Sequence, residues 1–162
     1  MKVLFHKSSI LIFVLLSDQA FSAQPYSCEV PDDIAGISFL MQDTEPASAT
    51  NPNAGESYVM QYEPFGSYSY VSINGSGKVI HGKYEYIKKG KEKSEIISKE
   101  TNDGVPTSYT IALTCENNNS GTYLYTQSSG PIKPAIRSNY AKYVIIPGPG
   151  RLEPIFPFKN SK

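Results

Sequence analysis

The chain has 162 residues, 15 basic and 15 acidic side chains, and 12% aromatic residues that include 12 Tyr and no Trp. That length makes one domain with room for a real core. The balanced charge excludes the basic excess that nucleic acid or an anionic membrane surface would demand, so no nucleic-acid partner is expected.

Residues 1–22 read as a secretory signal peptide. Lys2, His6 and Lys7 form a basic start, and Ile10 to Leu16 is an apolar run far too short to span a bilayer as a helix. Cleavage after Ser22 puts Ala20 at the −3 position, and cleavage after Ala23 is the close alternative. Cys28 follows Gln24-Pro25-Tyr26-Ser27, so no lipobox precedes it. Removing Lys2, Lys7 and Asp18 leaves 13 basic and 14 acidic residues. The expected home is secreted or periplasmic, with no transmembrane segment in the mature chain. In such a compartment the two cysteines, Cys28 and Cys115, are expected to form one disulfide. Closing so long a loop is worth about 4–5 kcal/mol on the chain-entropy estimate.

Residues 23–150 read as one β domain. Apolar residues alternate with polar ones, and Tyr, Val, Ile and Thr dominate, as half-buried strands require. The first strand is expected from Ile34 to Met41, followed by a polar loop from Asp43 to Gly55. Glu56 to Tyr62 alternates, Glu63 to Gly66 turns, and Ser67 to Ile73 is a strand. Asn74-Gly75-Ser76-Gly77 closes it, Asn-Gly being a strong short hairpin signal. Lys78 to Lys88, Ser94 to Lys99, Thr107 to Cys115, Thr122 to Gln127 and Ile136 to Ile146 follow, separated by turns at 89–93, 102–104 and 117–121. Residues 151–162, with Pro154 and Pro157, read as a Pro-rich extended tail. About eight short strands with short connections fit an antiparallel meander. The expected fold class is all-β, an eight-stranded up-and-down barrel, because closure removes exposed edges. A two-sheet sandwich is the runner-up.

Gly-x-Tyr-x-Tyr occurs three times, at Gly66 to Tyr70, Gly82 to Tyr86 and Gly121 to Tyr125. Tyr at i and i+2 places both rings on one face of a strand. The Gly before each pair marks a turn end, a bulge or a close backbone approach. Tyr58, Tyr68, Tyr70, Tyr84, Tyr86, Tyr123 and Tyr125 are the candidate ligand-binding residues. Facing inward, they would line a cup; facing outward, they would make a sticky surface for a glycan or a protein. Ordinary cross-strand packing is the structural alternative.

Ser120-Gly121-Thr122-Tyr123-Leu124-Tyr125 and the strand from Tyr109 to Cys115 resemble small calycin-like, or lipocalin-like, barrels. That resemblance covers less than half of the chain and implies a barrel, with no ligand or catalytic residue carried over. Tyr26-Ser27-Cys28, Ser76-Gly77 and Gly82-Lys83-Tyr84 also resemble the small periplasmic inhibitors of C-type lysozyme. That likeness implies an inhibitor or immunity-type protein that plugs an enzyme cleft with the 74–78 turn, Ser76 and Lys78 being the inserting pair. The spacing of the motif elements departs from that pattern, and nearly 50 residues follow Cys115.

Catalytic chemistry finds little support. His81 is the one histidine past the leader, beside Gly82 and without a nucleophile motif, so a Ser-His-Asp site is not expected. One His and a paired Cys set do not make a zinc site. Asp32-Asp33 after Pro31 is a turn signal. The Asp43 to Glu56 loop lacks EF-hand spacing. Lys88, Lys89, Lys91, Lys93 and Lys99 read as a solvated hairpin that discourages edge pairing. A membrane barrel needs strands of about 9–11 residues with an uninterrupted apolar face, which these strands do not offer. The expectation is a non-catalytic binding protein without cofactor or metal, its partner a small molecule, a glycan or a protein.

Overall fold

The computed structural model describes residues 27–146. The signal peptide expected at 1–22 and the extended tail expected at 151–162 lie outside the described residues. Eight strands follow in chain order: β1 Ser38–Asp43, β2 Ser57–Glu63, β3 Ser67–Ser72, β4 Val79–Lys88, β5 Lys93–Asn102, β6 Val105–Asn117, β7 Ser120–Ser129 and β8 Arg137–Ile146. Each pairs antiparallel with its neighbour, and β1 pairs with β8, so the sheet closes into an up-and-down barrel. Closure replaces the sandwich alternative.

The period-two pattern decides which residues enter the barrel. Tyr109, Ile111, Leu113 and Cys115 of β6 are buried, with exposed or half-buried residues between them. Ser94, Ile96, Ser98 and Glu100 of β5, and Arg137, Asn139, Ala141 and Tyr143 of β8, alternate in the same way. Phe39, Met41, Met60, Tyr62 and Tyr68 complete the core from β1 to β3. The Tyr rows therefore face inward. Rings interlock there edge to face, as with Tyr62 and Tyr84 at 4.8 Å between centroids.

Several strand bounds differ from the sequence expectation. The first strand begins at Ser38 and not at Ile34, because Gly36 holds φ at 82°, a left-handed value that breaks an extended run. Ile34, fully buried, instead belongs to a segment that closes one end of the barrel. The turn expected at Asn74-Gly75-Ser76-Gly77 is present and one residue wider at each side. The β3–β4 loop runs over 73–78, and Asn74 spends its side chain on the neighbouring loop, accepting from the Ser57 N–H at 2.8 Å and donating to the Gly55 carbonyl at 3.0 Å. The tight turn falls at Asp103-Gly104, where φ is 49° and 78°, both left-handed as such a hairpin requires. Strands β5 and β6 are also longer than the sequence indicates, since their register continues to Asn102 opposite Val105.

Residues 27–37 seal the closed end. Cys28 and Cys115 are disulfide-bonded, with Cα atoms 6.0 Å apart, and pack with Val30. The Val30 N–H donates to the Lys91 carbonyl, and the Tyr86 hydroxyl donates to the Pro31 carbonyl. Lys88 pairs with Glu29 at 2.8 Å and with Asp32 at 2.6 Å, which pushes its ammonium up to about 12. Asp33 accepts from the Ala35 N–H, the side-chain turn that Asp32-Asp33 foreshadows. Lys88 is thus a tether and not part of a free basic patch.

The motif glycines have separate steric causes. A Cβ on Gly82 would lie 2.4 Å from the Tyr68 ring, which lies across it. A Cβ on Gly121 would meet the Thr114 carbonyl oxygen at 2.1 Å, beside the register shift between Cys115 and Asn117.

Two outcomes follow from this packing. Gly82→Ala should destabilise the fold by about 1–3 kcal/mol through overpacking against Tyr68, read as a fall in the urea midpoint. Cys28→Ser should cost about 2–5 kcal/mol and expose Val30 and Ile34, which accelerated amide exchange over 27–37 would register; unchanged exchange there would disprove the staple role.

Candidate functional site

The opposite end of the barrel is open, and a cavity of about 300 Å³ enters it. Its floor is buried core: Met41, Met60, Tyr109, Ile111 and Tyr123. Tyr58, Tyr70 and Tyr125 stand in its walls. The mouth is polar, with Asp43, Asn51 and Glu56 on the β1–β2 side, Ser76 and Lys78 on the β3–β4 loop, and Arg137 and Asn139 entering from β8. The volume sits at the lower bound of ordinary ligand sites, which are commonly about 300–1,000 Å³.

Four of the seven candidate tyrosines, Tyr58, Tyr70, Tyr123 and Tyr125, line this cup. The other three do not. Tyr68 lies in the core over Gly82. Tyr84 donates to the Glu63 carbonyl and Tyr86 to the Pro31 carbonyl, both toward the closed end. Strand β4 runs from the mouth at Val79 to the closed end at Lys88, so its tyrosine pair falls on the far side of the core. Ser76 and Lys78, the alternative inserting pair, are exposed at the mouth, and Lys78 is ion-paired with Asp103. His81 is exposed on the outer face of β4, across from Ser69. Among the described residues no group of three His, Cys, Asp or Glu comes together.

Sequence reasoning missed the buried polar groups that organise the cup. Glu100 lies at the inner end of the β5 alternation and collects three tyrosine hydroxyls. Tyr68 donates to Oε2 at 2.5 Å, Tyr70 to Oε1 at 3.0 Å, and Tyr109 to Oε2 at 3.3 Å and to the Tyr68 hydroxyl at 2.7 Å. Burial raises the Glu100 carboxyl above its ordinary value, and the three hydroxyl donors pull it only partly back. The same burial, with Glu100 close by, raises Tyr68, Tyr70 and Tyr109. These phenols are neutral donors at any physiological pH.

A second network holds the mouth. Asp43 Oδ2 accepts from Asn51 at 3.0 Å and from Asn139 at 2.8 Å, and its Oδ1 accepts from the Glu45 N–H. Glu56 accepts from the Tyr58 and Ser72 hydroxyls. Arg137 is buried on β8, with Nη1 donating to the Ile132 and Pro134 carbonyls and its guanidinium 6.0 Å from the Tyr125 ring centroid. The only signal in the sequence was alternation: Asp43, Glu100, Arg137 and Asn139 all occupy inward positions of their strands.

Searched against family models, curated proteins and solved structures, the chain matches none of them. Among the described residues no helix is long and apolar enough to cross a membrane.

Glu100 gives a pH dependence with a definite sign. Its folded-state value is raised, so the native state holds the proton more tightly than the unfolded chain. That contribution is full below the ordinary carboxylate value near 4.5 and is lost as pH rises through the raised folded value. Glu100→Gln should therefore gain stability relative to the wild type as pH rises from 4 to neutrality. Urea melts across that range measure it, and parallel curves would refute a shifted Glu100.

Proposed function

We propose that the chain is a non-catalytic, secreted or periplasmic binding protein, a calycin-like barrel that takes a small and largely apolar molecule into its open end. The observation that carries this reading is the cavity itself. It descends from a polar mouth to Tyr109 and Ile111, with Tyr58, Tyr70 and Tyr125 as its walls. A barrel that served only as a scaffold would fill this space with side chains. Tyrosine suits the walls because each ring offers large rigid contact area at low entropic cost. The disulfide supports an oxidising compartment.

The inhibitor reading has one observation in its favour, the exposure of Ser76 and Lys78 on the 73–78 loop. That loop also rims the cup, and Lys78 would have to leave Asp103 to enter an acidic cleft.

The neutral fluorescent probe N-phenyl-1-naphthylamine tests the cup. Saturable one-to-one binding with blue-shifted emission is expected. Ser72→Trp, which fills the mouth from β3, should weaken it by about tenfold or more, equivalent to about 1.4 kcal/mol. Equal enhancement by the two proteins, or none by either, would sink the reading.

A further inference from the structure

Each charged group lining the cup can be checked for its partners. Asp43 and Glu56 have hydrogen-bond donors on their carboxylates, and Lys78 and Asp103 pair with each other. Arg137 is the exception. It is more than nine-tenths buried, yet among the described residues no carboxylate pairs with it. Its hydrogen bonds run from Nη1 alone, to the Ile132 and Pro134 carbonyls. Nε is buried without a partner. A guanidinium is the side-chain cation whose planar donors best match a carboxylate. A buried charge without a counter-ion is costly, and an incoming anion would relieve that cost.

We propose that the cup binds an organic acid, its carboxylate at the Arg137 guanidinium and its apolar body against Tyr70, Tyr125, Ile111 and the floor below. This rests on the cup reading and adds the chemical class of the ligand. The guanidinium is already positioned. Its Nη1 is anchored to the β7–β8 loop, and one face lies toward the Tyr125 ring, itself fixed by a hydroxyl hydrogen bond to Gln127 at 2.8 Å. Binding therefore needs little ordering of this side chain, which favours affinity. A cationic ligand is disfavoured because the carboxylates that would greet it already hold donors. Depth selects for length: Arg137 is at the mouth end of β8 and Tyr109 on the floor, so the acid group stays near solvent while the body is buried.

Calorimetry on the full mature protein at pH 7 with 2-naphthoate, 2-naphthamide and 2-naphthylmethylammonium tests the assignment. The three probes share one apolar body and differ in the head group. The naphthoate should bind about tenfold to a hundredfold more tightly than the amide, the gain of hydrogen bonds to a charged group. Arg137→Gln should reduce that preference to about twofold or less, with a cooperative urea melt reporting that the variant is folded. Amide or ammonium binding as tight as the acid would overturn the organic-acid proposal and leave the cup reading standing. So would a preference that survives Arg137→Gln. Failure of all three probes to bind would count against both.

Discussion

Three tyrosine hydroxyls converge on the buried carboxylate of Glu100, and the interior of the barrel is arranged around that convergence. A closed eight-stranded sheet has to fill its own centre, and this chain does so largely with tyrosine. Every buried hydroxyl then needs an acceptor. From β5, Glu100 supplies one acceptor group to Tyr68 and Tyr70 of β3 and to Tyr109 of β6. The arrangement ties β3, β5 and β6 together through side chains as well as through the ladder. It also explains why Gly82 has no side chain: the Tyr68 ring must cross β4 to reach Glu100.

The Glu100 cluster divides the barrel into two unlike halves. Toward the closed end, the polar tips of Tyr84 and Tyr86 are satisfied by backbone carbonyls, and residues 27–37 cover the opening. The disulfide and the Lys88 ion pairs hold that cover in place. A small domain gains by stapling a segment that has little regular structure of its own. Toward the mouth, loops rim the opening, and polar groups are satisfied mainly by one another. Asp43, Asn51 and Asn139 are one such set, and Glu56, Tyr58 and Ser72 another.

Much of this fold is legible in the sequence because strand side chains alternate. Tyr109, Ile111, Leu113 and Cys115 can be assigned to the core by period alone, and the eight segments with short connections imply an antiparallel meander. Local turn chemistry is less reliable, since a side chain can be claimed by something distant. Asn74 is taken by Ser57 and Gly55 within a loop that runs over 73–78, while Asp103-Gly104 makes a two-residue turn with the Asp103 carboxylate ion-paired to Lys78. The depth of a residue in the barrel is not legible at all. It depends on strand tilt and register between neighbours, so the sequence treats Tyr70 and Tyr86 alike although Tyr70 lines the cup and Tyr86 reaches the closed end.

The same limit applies with most force to the site. Seven tyrosines share one motif environment, and the four that line the cup are distinguished by position along the barrel axis, not by residue type. What separates the cup from the core is how its polar groups are satisfied. In the core, the Tyr62 hydroxyl reaches only the Met60 sulfur at 3.9 Å, a weak interaction that packing tolerates. At the mouth, acids hold donors in pairs, yet among the described residues no carboxylate pairs with the Arg137 guanidinium. A closed interior tends to eliminate an unpaired buried charge, because a neutral side chain of similar volume would be less costly there. Its retention beside an empty volume, on a strand whose other inward residues are Asn, Ala and Tyr, is physically reasonable if the missing counter-ion arrives from outside the chain.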